Sequence, residues 1–348
     1  MTTPTVSVVM SVHNGEDFLH RAIVSILQQT WGDFEFILID DASTDATATM
    51  IDAWANKDRR IVPVANESNI GLTRSLNKGI RLARGRWIAR MDADDVSLPE
   101  RLDIQLQFLA DHPSVGLLGT AAWLIDANGM VEEPCYLNPA THTEICWRII
   151  LANPFFHASV LFDRTAALNH PYDESIRYGQ DFELWGRLLQ VTQGANLTQP
   201  LIQLGRHDNR VSVRHGKEQL DQGIPVMRKR LAKLVPEGHW DTDTIHQMRQ
   251  IIQSAWPTPH ETSKGWECLL TLFSRFSQQP QLDQTVLRQI RQQLIQHILV
   301  SLSPSGLLQP SFGLMKQLFF RFPLPTMKEL IKQSQKKMVS HRFLQKLG

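Results

Sequence analysis

VSVVMSVHNGEDFLHRAIVSILQQTWGDFEFILIDDASTDAT, Val6–Thr47, decides the fold. It opens inside an apolar, β-branched run, Thr5–Val12, of the kind a strand buried on both faces requires. Glu16–Gln29 then places Phe18, Leu19, Ala22, Ile23, Ile26 and Leu27 on one helical face. FEFILID, Phe34–Asp40, is a second strand, and Ser43 or Thr44 is placed to cap a helix running to Trp54. The alternation continues with a strand at Arg60–Ala65, a helix at Gly71–Gly85 stopped by glycine, and a strand at Arg86–Asp92. Repeated β-α-β units predict an α/β fold with a doubly wound, mostly parallel sheet and right-handed crossovers. Ligands of such sheets lie beyond the carboxyl ends of the strands. That rule singles out the loops Ser11–Glu16, Asp40–Asp45 and Asp92–Asp95.

After Pro99 the pattern changes. Pro99–His112 reads as a helix with proline in its first turn. Val115–Asp126 and Met130–Leu137 read as a hairpin around Asn128-Gly129. A strand is expected at His157–Arg164, a helix at Gly179–Val191, and a strand from Ala195 running into a polar loop that ends at Val213. The first domain is placed at 1–218, with halves of about 1–98 and 99–218. The remainder, 219–348, reads as a helical, Gln-rich extension interrupted by seven prolines from Pro257 to Pro325.

The 348 residues carry a formal net charge of +1, so the whole molecule has no nucleic-acid-binding character. The balance is uneven. Ser301–Gly348 holds eight of the 36 Lys and Arg against one of the 35 acids, which leaves the preceding chain acidic. A basic end mixed with Leu, Phe and Met suits an anionic membrane surface; the alternative is a helical add-on with lysines facing water. Three scattered cysteines make neither a disulfide framework nor a zinc site and fit a reducing compartment. The N-terminus has no signal-peptide pattern, and no apolar run reaches the about 18 residues of a spanning helix. The expected location is the cytoplasm, in solution or peripherally on the inner membrane face.

The strand at Arg86–Asp92 ends in Asp92, Asp94 and Asp95. Acids this close repel each other, and folding alone gains nothing from them. One can cap the next helix while the others are solvated, but their position is where the fold places ligands. Hard oxygen ligands suit Mg2+ or Mn2+, which commonly bring phosphates with them. A second acid pair, Asp40-Asp41, ends the second strand, where Asp41 either accepts hydrogen bonds from a base or ribose or caps a helix. Neither G-x-G-x-x-G nor a Walker pattern follows the first strand, so dinucleotide and P-loop enzymes are disfavoured. By pattern alone Asp181 is an ordinary helix-start acid.

With NIGLTRSLNKGIRLARGRWIARMDADDVSLPERLDIQLQFL (Asn69–Leu109) and YGQDFELWGRLL (Tyr178–Leu189) added to the opening stretch, the chain over about residues 4–215 resembles the family 2 glycosyltransferases of GT-A fold. The resemblance implies a Rossmann-like sheet flanked by helices, with a nucleotide-binding half followed by an acceptor half. It implies an enzyme that moves a sugar from a nucleotide diphosphate, most commonly a UDP-sugar, to an acceptor hydroxyl with inversion. A glycan or lipid-linked acceptor is expected, in polysaccharide or glycoconjugate biosynthesis. Carried over, Asp41 matches the acid that reads the base, and Ser11, Val12, His13 and Glu16 match the first nucleotide loop. Asp92-Ala93-Asp94 matches the DxD element that holds Mn2+ or Mg2+, with Asp94 the more direct ligand. Asp181 matches the catalytic base, although Gln180 stands where the family has Glu. His207 resembles a metal- or diphosphate-contacting histidine, although Arg206 and His207 are adjacent here rather than spaced.

Two further residues are acceptor-side candidates: His157, alternatively a packed histidine, and Trp185, alternatively core. An Asp at the start of a helix is held ionised and is a weaker base for it. The competing functions are a nucleotidyltransferase, or a non-catalytic sugar-nucleotide or glycan binder on the same fold.

Overall fold

The computed structural model describes residues 3–126, 130–135, 139–205, 214–253, 262–301 and Leu314. The strands in chain order are β1 (Val6–Val12), β2 (Phe34–Asp40), β3 (Ile61–Ala65), β4 (Trp87–Arg90), β5 (Val96–Ser97), β6 (Val115–Ile125), β7 (Val131–Cys135), β8 (Leu161–Asp163) and β9 (Gln193–Gly205). The helices are α1 (Leu19–Leu27), α2 (Thr47–Ala55), α3 (Leu72–Leu82), α4 (Arg101–Asp111), α5 (His142–Arg148), α6 (Arg164–Asn169), α7 (Gln180–Leu188), α8 (Gly216–Leu234), α9 (Thr242–Gln253), α10 (Ser263–Phe276) and α11 (Gln284–Ser301). The chain divides into two compact units, Met1–Ile145 with Asn153–Gly223, and Cys146–Ala152 with Ile224–Gly348.

The first unit is organised on one sheet of order β3-β2-β1-β4-β8-β6-β9-β5, with β7 paired to β6. β1 pairs in parallel with β2 on one side and β4 on the other, and β2 with β3. The winding therefore switches direction between β1 and β4, the place beyond which sheets of this kind bind their ligands. β2 is buried at every position and β1 at all but Ser11, as their continuous apolar sequence requires. Past β4 the sheet is mixed. β8 runs antiparallel to β4 and β6, β5 runs antiparallel to β9, and β6 runs parallel to β9. The parallel expectation thus describes the β3-β2-β1-β4 half, and the expected hairpin is the antiparallel β6–β7 pair.

Several boundaries differ from the sequence reading by a few residues, and three of the differences have a clear local reason. α1 begins at Leu19, because Glu16 is held by the neighbouring loop: its N–H donates to Asp45 Oδ2 (3.1 Å) and its Oε2 accepts from Ala46 N–H (2.9 Å). Ser43 and Thr44 do not cap α2; they bind Asn14, while Asp45 Oδ1 accepts from Thr47 N–H at 3.0 Å. His157–Ser159 is a 3-10 turn, and the strand after it stops at Asp163. Asp163 caps α6 by accepting from Ala166 N–H at 2.9 Å.

A buried acid at the start of β2 is structural. Glu35 accepts from Ser7 Oγ (2.6 Å), Arg84 N–H (2.7 Å) and Arg84 Nε (2.7 Å). Burial pushes its carboxyl up, but these donors outweigh it and the pKa lies below the ordinary glutamate value. Gly85 beside it donates to Ser7 Oγ, and a Cβ there would lie 2.7 Å from backbone atoms of both Val6 and Ser7. Gly85→Ala is therefore expected to destabilise the fold by about 1–3 kcal/mol, because β1 must move to admit it. Chemical denaturation of the two proteins side by side measures this; equal midpoints would refute it.

In the second unit Trp147 lies 5.3 Å from Phe273, edge-on, and 5.2 Å from Phe276, and Trp266 is fully buried. Thr262 caps α10 by accepting from Gly265 N–H at 3.0 Å. No described helix is long and apolar enough to cross a membrane. Of the basic end, only Ser301 and Leu314 are among the described residues.

Candidate active site

The loops at the carboxyl ends of β1, β2 and β3 are tied into one rim. Asn14, at φ 52°, accepts from Thr44 N–H at 2.8 Å, and its own N–H donates to Ser43 Oγ at 2.9 Å. Gly15 N–H donates to Thr47 Oγ1 at 2.9 Å. His13 is exposed, and its Nδ1 lies 3.0 Å from the Asp41 carbonyl. Ser11 is half-buried and Val12 buried at the end of β1.

Asp41 is 3% exposed, and its carboxylate accepts from Asn66 Nδ2 (2.8 Å), Ile70 N–H (2.9 Å) and Gly71 N–H (2.9 Å). Gly71 has φ 86°, a left-handed conformation that glycine adopts without strain. Asp41 thus fastens the Ile70-Gly71 turn to the end of β2, an employment that the sequence reading did not foresee. It does not cap α2, which begins at Thr47.

Beyond β4, one carboxylate oxygen from each of Asp92, Asp94 and Asp95 lies within 4.8 Å of the others. Asp92 and Asp94 are half-buried; Asp95 is buried and accepts from Gly205 N–H at 2.9 Å, which ties the acidic loop to the end of β9. Ala93 between them packs partly against the core. Three oxygen donors this close form a set that suits a hard divalent cation such as Mg2+ or Mn2+. Asp92 also pairs with the guanidinium of Arg90, a buried side chain in the last position of β4. The resemblance assigns the metal to Asp92 and Asp94 alone, and the only signal in the sequence for Asp95 is its place in the acidic triplet.

α7 opens at Gly179, at φ 77°, and presents Asp181 in its first turn. Asp181 Oδ2 accepts from Asn153 Nδ2 at 2.6 Å and Oδ1 from Phe182 N–H at 2.8 Å. The residue keeps some exposure while protein surrounds its carboxylate, and burial raises its pKa above the ordinary aspartate value. The Phe182 N–H, the Asn153 amide and the charge of Arg90 oppose that rise without cancelling it. This corrects the expectation of a carboxylate weakened by the helix start: desolvation dominates, and the group is a stronger base than a free aspartate.

His157 Nε2 lies 2.8 Å from the Tyr172 hydroxyl, and burial together with Arg90 holds its pKa well below the usual histidine range. It is therefore a neutral, hydrogen-bonded ring. Trp185 is corrected as an acceptor platform. It is 0% exposed and ringed by Phe155, His157, Phe162 and Tyr172 at centroid distances of 5.4–6.3 Å, so no face of the indole is open to a sugar. Asn153 and Tyr172 escaped the sequence reading because nothing in their neighbourhood marks them. Arg90 did leave a mark, as a charge inside an otherwise apolar strand. His207 and Arg206 lie outside the described residues.

The family model for glycosyl transferase family 2 matches residues 7–130. The amylovoran biosynthesis glycosyltransferase AmsE of Erwinia amylovora is 30% identical over 230 residues, covering 65% of this chain and 85% of that protein. Among solved structures, TarS 1-349 of S. aureus in complex with UDP-GlcNAc aligns at TM-score 0.55 and 14% identity, over 78% of this chain and 81% of that one. Against the longer TarS structure the chain spans about half, 49%. The mannosyltransferase PcManGT from Pyrobaculum calidifontis, in complex with GDP-Man and Mn2+, aligns at TM-score 0.50 and 14% identity over 97% of this chain and 87% of that one. The fold is the GT-A architecture. The chain belongs to glycosyl transferase family 2. That membership leaves the nucleotidyltransferase alternative without support.

Proposed function

We propose that this chain transfers a sugar from a nucleotide diphosphate donor, a UDP-sugar foremost, to a hydroxyl of a glycan or lipid-linked acceptor with inversion, as a step in polysaccharide assembly. The observation that carries the reading is the gathering of Asp92, Asp94 and Asp95 at the carboxyl end of β4. The desolvated Asp181 feels the same buried Arg90 that pairs with Asp92. The name of the relative AmsE supports the polysaccharide setting, and the nucleotide sugars in the TarS and PcManGT titles support the donor class.

The chain's own residues divide the work. The rim built from Ser11–Glu16 and Asp40–Asp45 receives the nucleoside, with His13 exposed on it. Asp92, Asp94 and Asp95 would hold a divalent cation, Mn2+ or Mg2+, which would supply positive charge to the departing diphosphate. Asp181 takes the proton of the attacking acceptor hydroxyl, and its raised pKa makes that transfer more favourable than to an ordinary aspartate. Attack from the face opposite the leaving group inverts the anomeric centre, through the oxocarbenium-like state that sugar transfer shares with glycoside hydrolysis. The basic Ser301–Gly348 end supports an anionic membrane surface as the place where a lipid-linked acceptor is met.

A panel of sugar nucleotides scored by thermal stabilisation tests the donor. With Mn2+ present, a UDP-sugar at 100 times its Kd should stabilise the protein by about 2.7 kcal/mol, which appears as a raised Tm. GDP-sugars should give less. A panel in which no sugar nucleotide moves the Tm would refute the reading.

A further inference from the structure

Arg90 has no part in the mechanism above, yet it stands inside the site. It ends β4 with its side chain 2% exposed, and its guanidinium pairs with Asp92. Its Nε has no hydrogen-bond partner among the described residues. A buried guanidinium normally satisfies its whole fork, so an idle donor here is informative. The backbone around it is fixed. Arg90 N–H donates to the Val160 carbonyl at 3.0 Å, and the Arg90 carbonyl accepts from Arg101 Nη2 at 3.0 Å. Arg101 is fully buried as well, and burial together with the charge of Arg90 pulls its pKa down to about 9. Two buried cations therefore stand behind an acid set that reads as a cation site.

A cation in that site needs Asp92, and Arg90 already holds it. Removing the carboxylate from Arg90 strands a buried positive charge, which is strongly unfavourable unless another anion replaces it. A nucleoside diphosphate brings such an anion, and the idle Nε is a donor of the kind that phosphate oxygens accept.

We propose that Arg90 is a positioning residue, the resident counter-ion of Asp92, which yields that carboxylate to a divalent cation only when a nucleoside diphosphate arrives with it. The cation and the nucleotide then bind cooperatively, and the acid set does not collect free metal ions. This rests on the metal-dependent reading given under Proposed function.

The test measures Mn2+ affinity of the full chain by electron paramagnetic resonance, with and without UDP, for the wild type, Arg90→Met and Arg90→Lys. In the wild type UDP should tighten Mn2+ binding by about tenfold or more. Arg90→Met should bind Mn2+ alone about tenfold more tightly than the wild type, and its UDP effect should shrink by the same factor, because the part that came from displacing the Arg90 charge is gone while the phosphates still reach the cation. Arg90→Lys keeps the charge and should restore weak binding of Mn2+ alone. A purely structural arginine would change stability and leave both affinities and their coupling untouched, so an Arg90→Met protein with wild-type values overturns the proposal. If Arg90→Met does not fold, Arg90→Lys decides: tight binding of Mn2+ alone by that variant overturns it. A wild type that takes up no Mn2+ even with UDP removes the metal-dependent reading, and the proposal with it.

Discussion

Asp181→Asn should lower the turnover number by about 10²–10⁴ while leaving donor binding close to wild type. The substitution is nearly isosteric. One of the two donors, the Asn153 amide (2.6 Å) or the Phe182 N–H (2.8 Å), keeps an oxygen acceptor, while the other meets the new NH2 group and must reorganise. What is lost is the ability to accept a proton from the acceptor hydroxyl. Isothermal titration with the donor nucleotide and a transfer assay separate the two effects; full turnover by the variant would end the base assignment. The pH profile gives a second readout. With Asp181 as the proposed base, transfer would need it ionised, and activity should fall as pH drops through its pKa. Burial raises that pKa, and the acid limb should therefore lie above the usual aspartate range rather than within it. The asparagine variant should show no such limb.

How much of this was legible beforehand depends on what fixes each feature. β1, α1 and β2 are readable because their apolar periods coincide with what is buried, β2 throughout, β1 at all but Ser11 and α1 along its Leu19, Ala22, Ile23 and Ile26 face, and a period is a property of a single segment. The loop acids were readable because the fold rule names strand ends. The lacing of the rim was not. Asn14 binds Thr44 thirty positions away, and only the parallel register of Val12 with Asp40 brings them together. The basicity of Asp181 is misread from sequence for the same reason: a helix start is visible there, whereas the burial that overrides it is a property of the folded chain around the carboxylate. Trp185 shows the limit of helical periodicity, since one turn past Asp181 fits both a sugar platform and a core position. The aromatic rings around it decide for core.

Asp94→Ala is the other large effect, expected to weaken Mn2+-dependent donor binding by about 100-fold, ~2.8 kcal/mol. The choice among the acids matters. Asp92→Ala would leave Arg90 buried without its carboxylate, which typically costs about 3–5 kcal/mol of stability and would blur any loss of binding. Asp95→Ala would remove the acceptor of Gly205 N–H and loosen β9 where it meets the acidic loop. Asp94 supplies an oxygen to the same cluster from a half-buried position. Calorimetric titration of UDP should therefore show its affinity gain on adding Mn2+ in the wild type and none in Asp94→Ala, while the residual, cation-independent affinity stays the same in both. That last equality carries the argument: it requires the nucleoside rim at Ser11–Glu16 and Asp40–Asp45 to stand apart energetically from the acids of Asp92–Asp95. Equal Mn2+ gains in the two proteins would mean that the acids hold each other and their arginine, not a cation, and that the diphosphate leaves by other means.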